Sequence, residues 1–111
     1  MRALVLVLLA GCVQQEEPKW TSTASCTVRS ETGIECFEYD LTAPAQRDSL
    51  RASCSAPGST FAESDACETD GRIGGCVLDK DLLHGTFIYS GYNDVPGFMQ
   101  ACTAADGSWQ P

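Results

Sequence analysis

The chain has 111 residues, with 7 Lys and Arg against 15 Asp and Glu, a formal charge of −8, and seven cysteines. That length suits one domain. The acidic excess argues against nucleic acid and anionic lipid surfaces as partners, because both are repelled at long range.

Met1-Arg2 makes a short positive start, and Ala3 to Ala10 is an apolar run of eight residues. A bilayer span needs roughly 20 residues, so this run matches the core of a secretory signal instead. Its end, Leu9-Ala10-Gly11-Cys12, resembles the lipobox of bacterial lipoproteins. The resemblance implies that residues 1–11 are a signal peptide cleaved before Cys12. It implies too that the Cys12 thiol is diacylated and that the new amino terminus carries a palmitate-type chain. Each buried methylene contributes about 0.8 kcal/mol, and two or three chains make a durable membrane anchor. Val13 stands where Asp would signal inner-membrane retention in this class, so the resemblance implies the outer membrane. The plainer reading is an ordinary secretory signal with Cys12 as a simple thiol.

Cleavage would leave 100 residues with a net charge of −9. Residues 13–24, "VQQEEPKWTSTA", have no helical or strand period, so 12–24 reads as the acylated terminus and a flexible spacer. Residues 25–111 read as one disulfide-rich domain. "SETG" at 30–33 is a turn between strands at 26–29 and 34–39, which are rich in Val, Thr, Ile, Phe and Tyr. Thr42 is a candidate N-cap for the helix "APAQRDSLRASC", with Leu50 and Cys54 on one face. The acidic stretch "ESDACETDG", 63–71, reads as a solvated connection. "DLLHGTF" reads as a loop between two strands, and "TFIYSGY" as a strand with Phe87 and Tyr89 on one side. Asp94 is a candidate cap for "VPGFMQAC", where Phe98 and Cys102 are four apart. Gly58 and Gly107 fit helix-terminating positions.

If Cys12 is lipidated, six cysteines remain: Cys26, Cys36, Cys54, Cys67, Cys76 and Cys102. An even number at this density in an exported chain reads as a disulfide framework. No Cys-x-x-Cys is present, and the single histidine, His84, is eight residues from the nearest cysteine. That spacing disfavours zinc, thioredoxin-like redox chemistry and covalent haem. Taken in threes, the cysteines suggest an internal repeat. Units of about 26–61 and 67–109 each end in a cysteine, Ser/Thr-Ala, and an aromatic residue seven positions on, Phe61 and Trp109. In this alignment Cys26, Cys36 and Cys54 match Cys67, Cys76 and Cys102. The expected fold is α+β, a small disulfide-rich domain of two strand-pair-plus-helix repeats. A helix cysteine should reach a strand cysteine, favouring Cys36–Cys54 and Cys76–Cys102, with Cys26–Cys67 tying the units; fifteen connectivities are formally open. Each bridge should contribute roughly 3 kcal/mol through the unfolded state.

The cysteine spacing, the Cys36-x-x-Tyr39 motif, "GRIGGC" at 71–76 and the terminal Gly107-x-Trp109 together resemble a loose group of short six-cysteine lipoproteins of myxobacteria and their relatives. The chain departs from that pattern in lacking a doubled glycine before Phe61 and Trp109. The resemblance spans nearly the whole mature chain and implies no catalytic residue and no cofactor.

A Ser-His-Asp relay would have to use His84, and nothing marks a nucleophile beside it. No carboxylate pair is singled out for glycoside chemistry. The run at 63–71 does not place oxygens at the alternating positions of an EF-hand loop, and "GRIGG" lacks the Lys-Ser/Thr ending of a phosphate loop. The expectation is therefore a membrane-anchored envelope lipoprotein, not an enzyme, with a binding or structural role and neither metal nor cofactor. The alternative is an inhibitor or immunity-type module acting on an envelope hydrolase, with "DLLHGTF" as its wedge.

Overall fold

The computed structural model describes residues 22–111. The expected signal peptide at 1–11, the expected lipidation site Cys12 and Trp20 lie outside the described residues. Among the described residues, six antiparallel strands form one sheet, with two helices on one face. In chain order these are β1 (Ser22–Ser30), β2 (Gly33–Leu41), α1 (Pro44–Ser53), β3 (Ser59–Ala62), β4 (Arg72–Lys80), β5 (Leu83–Tyr89), α2 (Val95–Ala104) and β6 (Ser108–Gln110). The strand order across the sheet is β3-β1-β2-β5-β4-β6. Strand β1 begins at Ser22, so three residues expected to be spacer are strand, and Ala24 is fully buried.

The register sorts the side chains. Directly opposed residues share a face and successive residues alternate. One row runs Phe61, Cys26, Phe37, Thr86, Cys76, Trp109 across all six strands; the adjacent row runs Thr60, Thr27, Cys36, Phe87, Gly75, Gln110 on the opposite face. Cys26 and Cys36 therefore point to opposite sides of the sheet.

The disulfides follow from that alternation. Cys54, at the end of α1, bonds Cys26, and Cys102 of α2 bonds Cys76, so both helices are stapled to the first row. Cys36 bonds Cys67, on the connection between β3 and β4. The expected Cys76–Cys102 bridge is present, whereas the expected Cys36–Cys54 and Cys26–Cys67 bridges are exchanged. Cys36 cannot meet Cys54 because the sheet lies between them. The alignment of cysteines in threes fails for the same reason: Cys67 sits in the connection and Cys76, not Cys67, occupies the strand position of Cys26.

Both helices start much as their sequences dictate. Pro44 and Pro96 stand in the first turns, where the missing N–H costs nothing. Asp94 caps α2, its Oδ1 accepting from the Gly97 amide at 3.1 Å. Thr42 is not the cap of α1. Ala43 holds that position, and the Gln46 carboxamide oxygen accepts from the Thr42 and Ala43 amides at 2.7 and 3.1 Å instead. After α1, Gly58 takes a left-handed backbone (φ 87°); after α2 that role falls to Asp106 (φ 62°) rather than Gly107.

Two thin cores flank the sheet. Ala24, Leu41 and Ile88 lie on the helix face with the two helix bridges. On the other face Cys36, Cys67, Phe87 and Tyr89 cluster with Ile34. The paired glycines of "GRIGGC" are set by close approach. A side chain on Gly74 would run into the Trp109 ring, and one on Gly75 into the Phe87 ring.

The connection at 63–71 is pinned rather than merely solvated. Besides the Cys36–Cys67 bridge, the Cys67 amide donates to Glu38 Oε1 at 2.9 Å. Arg72 Nη2 donates to the Cys67 and Glu68 carbonyls at 2.9 and 2.8 Å, and the Tyr89 hydroxyl donates to Glu68 O at 2.6 Å. The Arg72 guanidinium lies 4.0 Å from the Phe87 ring centroid, a cation–π arrangement.

Candidate functional site

Among the described residues, three places gather chemistry-bearing side chains. The first surrounds His84. It was expected in a loop, but only Asp81 and Leu82 form the turn, and His84 lies in β5. The pairing of β5 skips it on both sides: Leu83 and Gly85 face Tyr39 and Glu38 of β2, and Lys80 and Val77 of β4. This doubled bulge, with Asp79 in the left-handed region (φ 46°), re-aims two side chains at each other. His84 Nδ1 lies 2.6 Å from Asp79 Oδ1 and 3.9 Å from Asp40 Oδ2.

The hydrogen bond to Asp79 raises the His84 pKa above its ordinary 6.5, aided by the charges of Asp79, Glu38 and Asp40 and opposed by partial burial. The protonated imidazolium is thus favoured by folding. Its contribution is complete below the unfolded value and is lost as pH rises through the elevated folded one. The thermal midpoint should therefore fall slightly across that window, and His84→Gln should flatten the dependence. An imidazole titration by NMR checks the direction: a folded pKa at or below the ordinary value would contradict it. The effect is small because the carboxylates are mostly exposed.

Donor atoms of Asp40, Asp79 and His84 lie within 4.8 Å of one another, a set of types that suits a divalent cation. The imidazole is already engaged by Asp79. The six framework cysteines are bonded in pairs and offer no thiolate.

The second place is a groove of about 360 Å³ on the helix-free face. Thr27, Arg29 and Ile34 form its floor, Thr60 its outer edge, Glu68 and Asp70 the wall made by the pinned connection, and Tyr89 of β5 closes it alongside. Sequence reading missed it, because it exists only where residues 68–71 fold back over β1 and β2.

The third is a cleft of about 390 Å³ between α2 and the central strands. Glu35 and Phe37 of β2, Leu78 of β4 and Thr86 of β5 line it below; Tyr92 and Phe98 line it from the α2 side. Tyr92 meets Phe98 edge-on at 5.8 Å, and Phe98 meets Trp109 in the same way at 5.8 Å. The alternation in "TFIYSGY" and the Asp94 cap were legible signals for its walls; Glu35 carried none.

No protein-family model, curated protein or solved structure matches this chain. Among the described residues no helix is long and apolar enough to cross a membrane.

Proposed function

We propose that this is an envelope lipoprotein, anchored through an acylated Cys12, whose domain binds a ligand or partner without catalysing a reaction. The observation that carries the binding reading is the pair of clefts on opposite faces of a sheet pinned by three disulfides. Preformed walls avoid the ordering cost that loops would incur on association. The anchor is supported by the lipobox-like Leu9-Ala10-Gly11-Cys12 and by sulfur pairing: with six cysteines joined to each other, Cys12 is the one left for another use.

We also infer that the domain arose by duplication, with units set differently from the simple order of cysteines. Cys26 matches Cys76 and Cys54 matches Cys102, each pair a strand-to-helix bridge. Phe61 opposes Cys26 as Trp109 opposes Cys76. Gly58 and Asp106 both stand four residues beyond the helix cysteine with positive φ. The strand order β3-β1-β2 then continues as β5-β4-β6, the sequence expected when two such halves meet edge to edge through their second strands.

The anchor is tested in a Gram-negative host. The wild-type protein should partition into detergent and carry the mass of three acyl chains and a glycerol, whereas Cys12→Ser should stay aqueous and unmodified. Wild-type protein found aqueous and unacylated would defeat the anchor. Under the alternative inhibitor reading the wedge would be the tip of the β4–β5 hairpin, the two-residue turn at Asp81–Leu82, rather than a long loop. A stoichiometric envelope hydrolase recovered with the domain, and silenced by it, would favour that reading.

A further inference from the structure

We propose that the cleft beneath α2 is a binding site for a small quaternary ammonium compound, with Glu35 as counter-charge and Phe37, Tyr92 and Phe98 as aromatic walls. This goes beyond the general binding role above and does not depend on the lipid anchor.

Glu35 is placed oddly for a surface carboxylate. It sits on the helix face of a central strand, and its cross-strand neighbours are Val28 and Ile88, which offer neither charge nor hydrogen bond. Among the described residues its carboxylate has no hydrogen-bond or ion-pair partner. Partial burial raises its pKa, and Glu35 in turn raises that of Tyr92, whose main shift comes from its own desolvation. An unpaired, half-buried carboxylate facing an apolar cleft is a cost to the fold. A cation entering the cleft would relieve it.

The walls specify which cation. Phe37 lies two residues along the same face from Glu35. The Tyr92 and Phe98 rings stand at 75° to each other, forming a corner beside it. Aromatic faces attract cations through the ring quadrupole, and a methylated ammonium needs no hydrogen bonds from its surroundings. A strongly hydrated ammonium or a metal ion would instead need oxygen donors that Phe37, Leu78, Tyr92 and Phe98 do not supply in number. The volume is adequate for a ligand of this size.

The cleft is also held open in advance. The Asn93 amide donates to Thr32 O at 2.9 Å and its side-chain amide donates to Glu31 O at 3.2 Å, tying the segment after β5 to the β1–β2 turn. Tyr92 packs directly on Gly33 as a result. The Cys76–Cys102 bridge fixes the floor to α2. Asp94, at the rim and engaged in capping, adds a second negative charge that attracts a cation and repels an anionic substituent beside it.

The test uses choline, its neutral isostere 3,3-dimethylbutan-1-ol, and phosphocholine, each titrated into the ¹⁵N-labelled protein. Choline should shift the amides of Glu35, Tyr92 and Gly97 saturably and more weakly at high salt. The neutral isostere and phosphocholine should each bind at least about tenfold more weakly, as the loss of the cation or the addition of an anion predicts. Glu35→Gln should reduce choline affinity by a similar factor while leaving the spectrum otherwise native. Tyr92→Leu, which keeps an apolar side chain but removes the ring, should reduce it independently even if the Glu35 variant misfolds. Equal binding of the isostere, tighter binding of phosphocholine, or the absence of any saturable shift with choline would overturn the proposal.

Discussion

Removing the Cys36–Cys67 bridge by a double alanine substitution should lower stability by about 3.7 kcal/mol, the chain-entropy value for a loop of this length. The two cysteines are 31 residues apart in sequence, the longest separation of the three bridges. A small domain has about 5–15 kcal/mol in total, so the loss should be visible as a large drop in the thermal midpoint. The effect should also be local. The connection at 63–71 would keep the Arg72 and Tyr89 hydrogen bonds but lose its covalent tie. Amide exchange should therefore rise first at 64–72, and the groove on the helix-free face should loosen while α1 and α2 remain docked. Removing Cys76–Cys102 should instead free α2 and leave 64–72 protected. Uniform exchange changes in both variants would mean that the bridges act only through the unfolded chain.

The pairing itself is open to direct reading. Digestion by trypsin with a glutamate-specific protease separates Cys54 from Cys67, because Glu63 lies between them. Without reduction, residues 20–29 should travel with 52–63, and 36–38 with 64–68. A peptide joining Cys36 to Cys54 would contradict the register of β1 and β2, since it would require a bond through the sheet.

Phe87→Ala is the second substitution with a large expected effect, a loss of about 3–5 kcal/mol. Phe87 is only 6% exposed and lies between Cys36 and Gly75 in the cross-strand row, in the cluster with Cys67 and Tyr89. Its ring fills the space that Gly75 leaves and supports the Arg72 guanidinium, whose hydrogen bonds hold the connection. Truncation therefore opens a cavity and removes a cation–π contact together. Phe87→Leu should cost clearly less, because it retains most of the volume and forfeits mainly the contact with Arg72. Chemical denaturation of the three proteins decides the matter. If alanine and leucine were equally damaging, the ring's interaction with Arg72, rather than the filled volume, would dominate this core.

Much of the local structure was legible in the residues. The strand pair around "SETG", the helix behind Asp94 and the strand in "TFIYSGY" follow from turn chemistry, capping and alternation, each of which acts over a few residues. The faces of Cys26 and Cys36 were legible too. A hairpin turning at 31–32 sets Thr27 against Cys36 and Cys26 against Phe37, and period-two alternation then separates the cysteines. Joining a helix cysteine to a strand cysteine of its own unit, as in Cys36–Cys54, leaves out the face on which each strand cysteine lies. The place of His84 was misread for a related reason: a bulge in a strand and a short loop share the same polar, glycine-containing composition.

Backbone geometry and the covalent chain thus determined the hairpins, the helix starts and the number of sulfur atoms available for bridging, because these depend on neighbours within one turn or one strand. Only the tertiary structure decided that β2 lies against β5, that both helices pack on one face, and that the acidic connection is drawn across the other. Those choices bring Glu35 and Tyr92 to one cleft and Thr27 and Asp70 to another, although dozens of positions separate each pair in the chain. Such juxtapositions are selected by the packing of the whole sheet, and no local pattern in the chain encodes them.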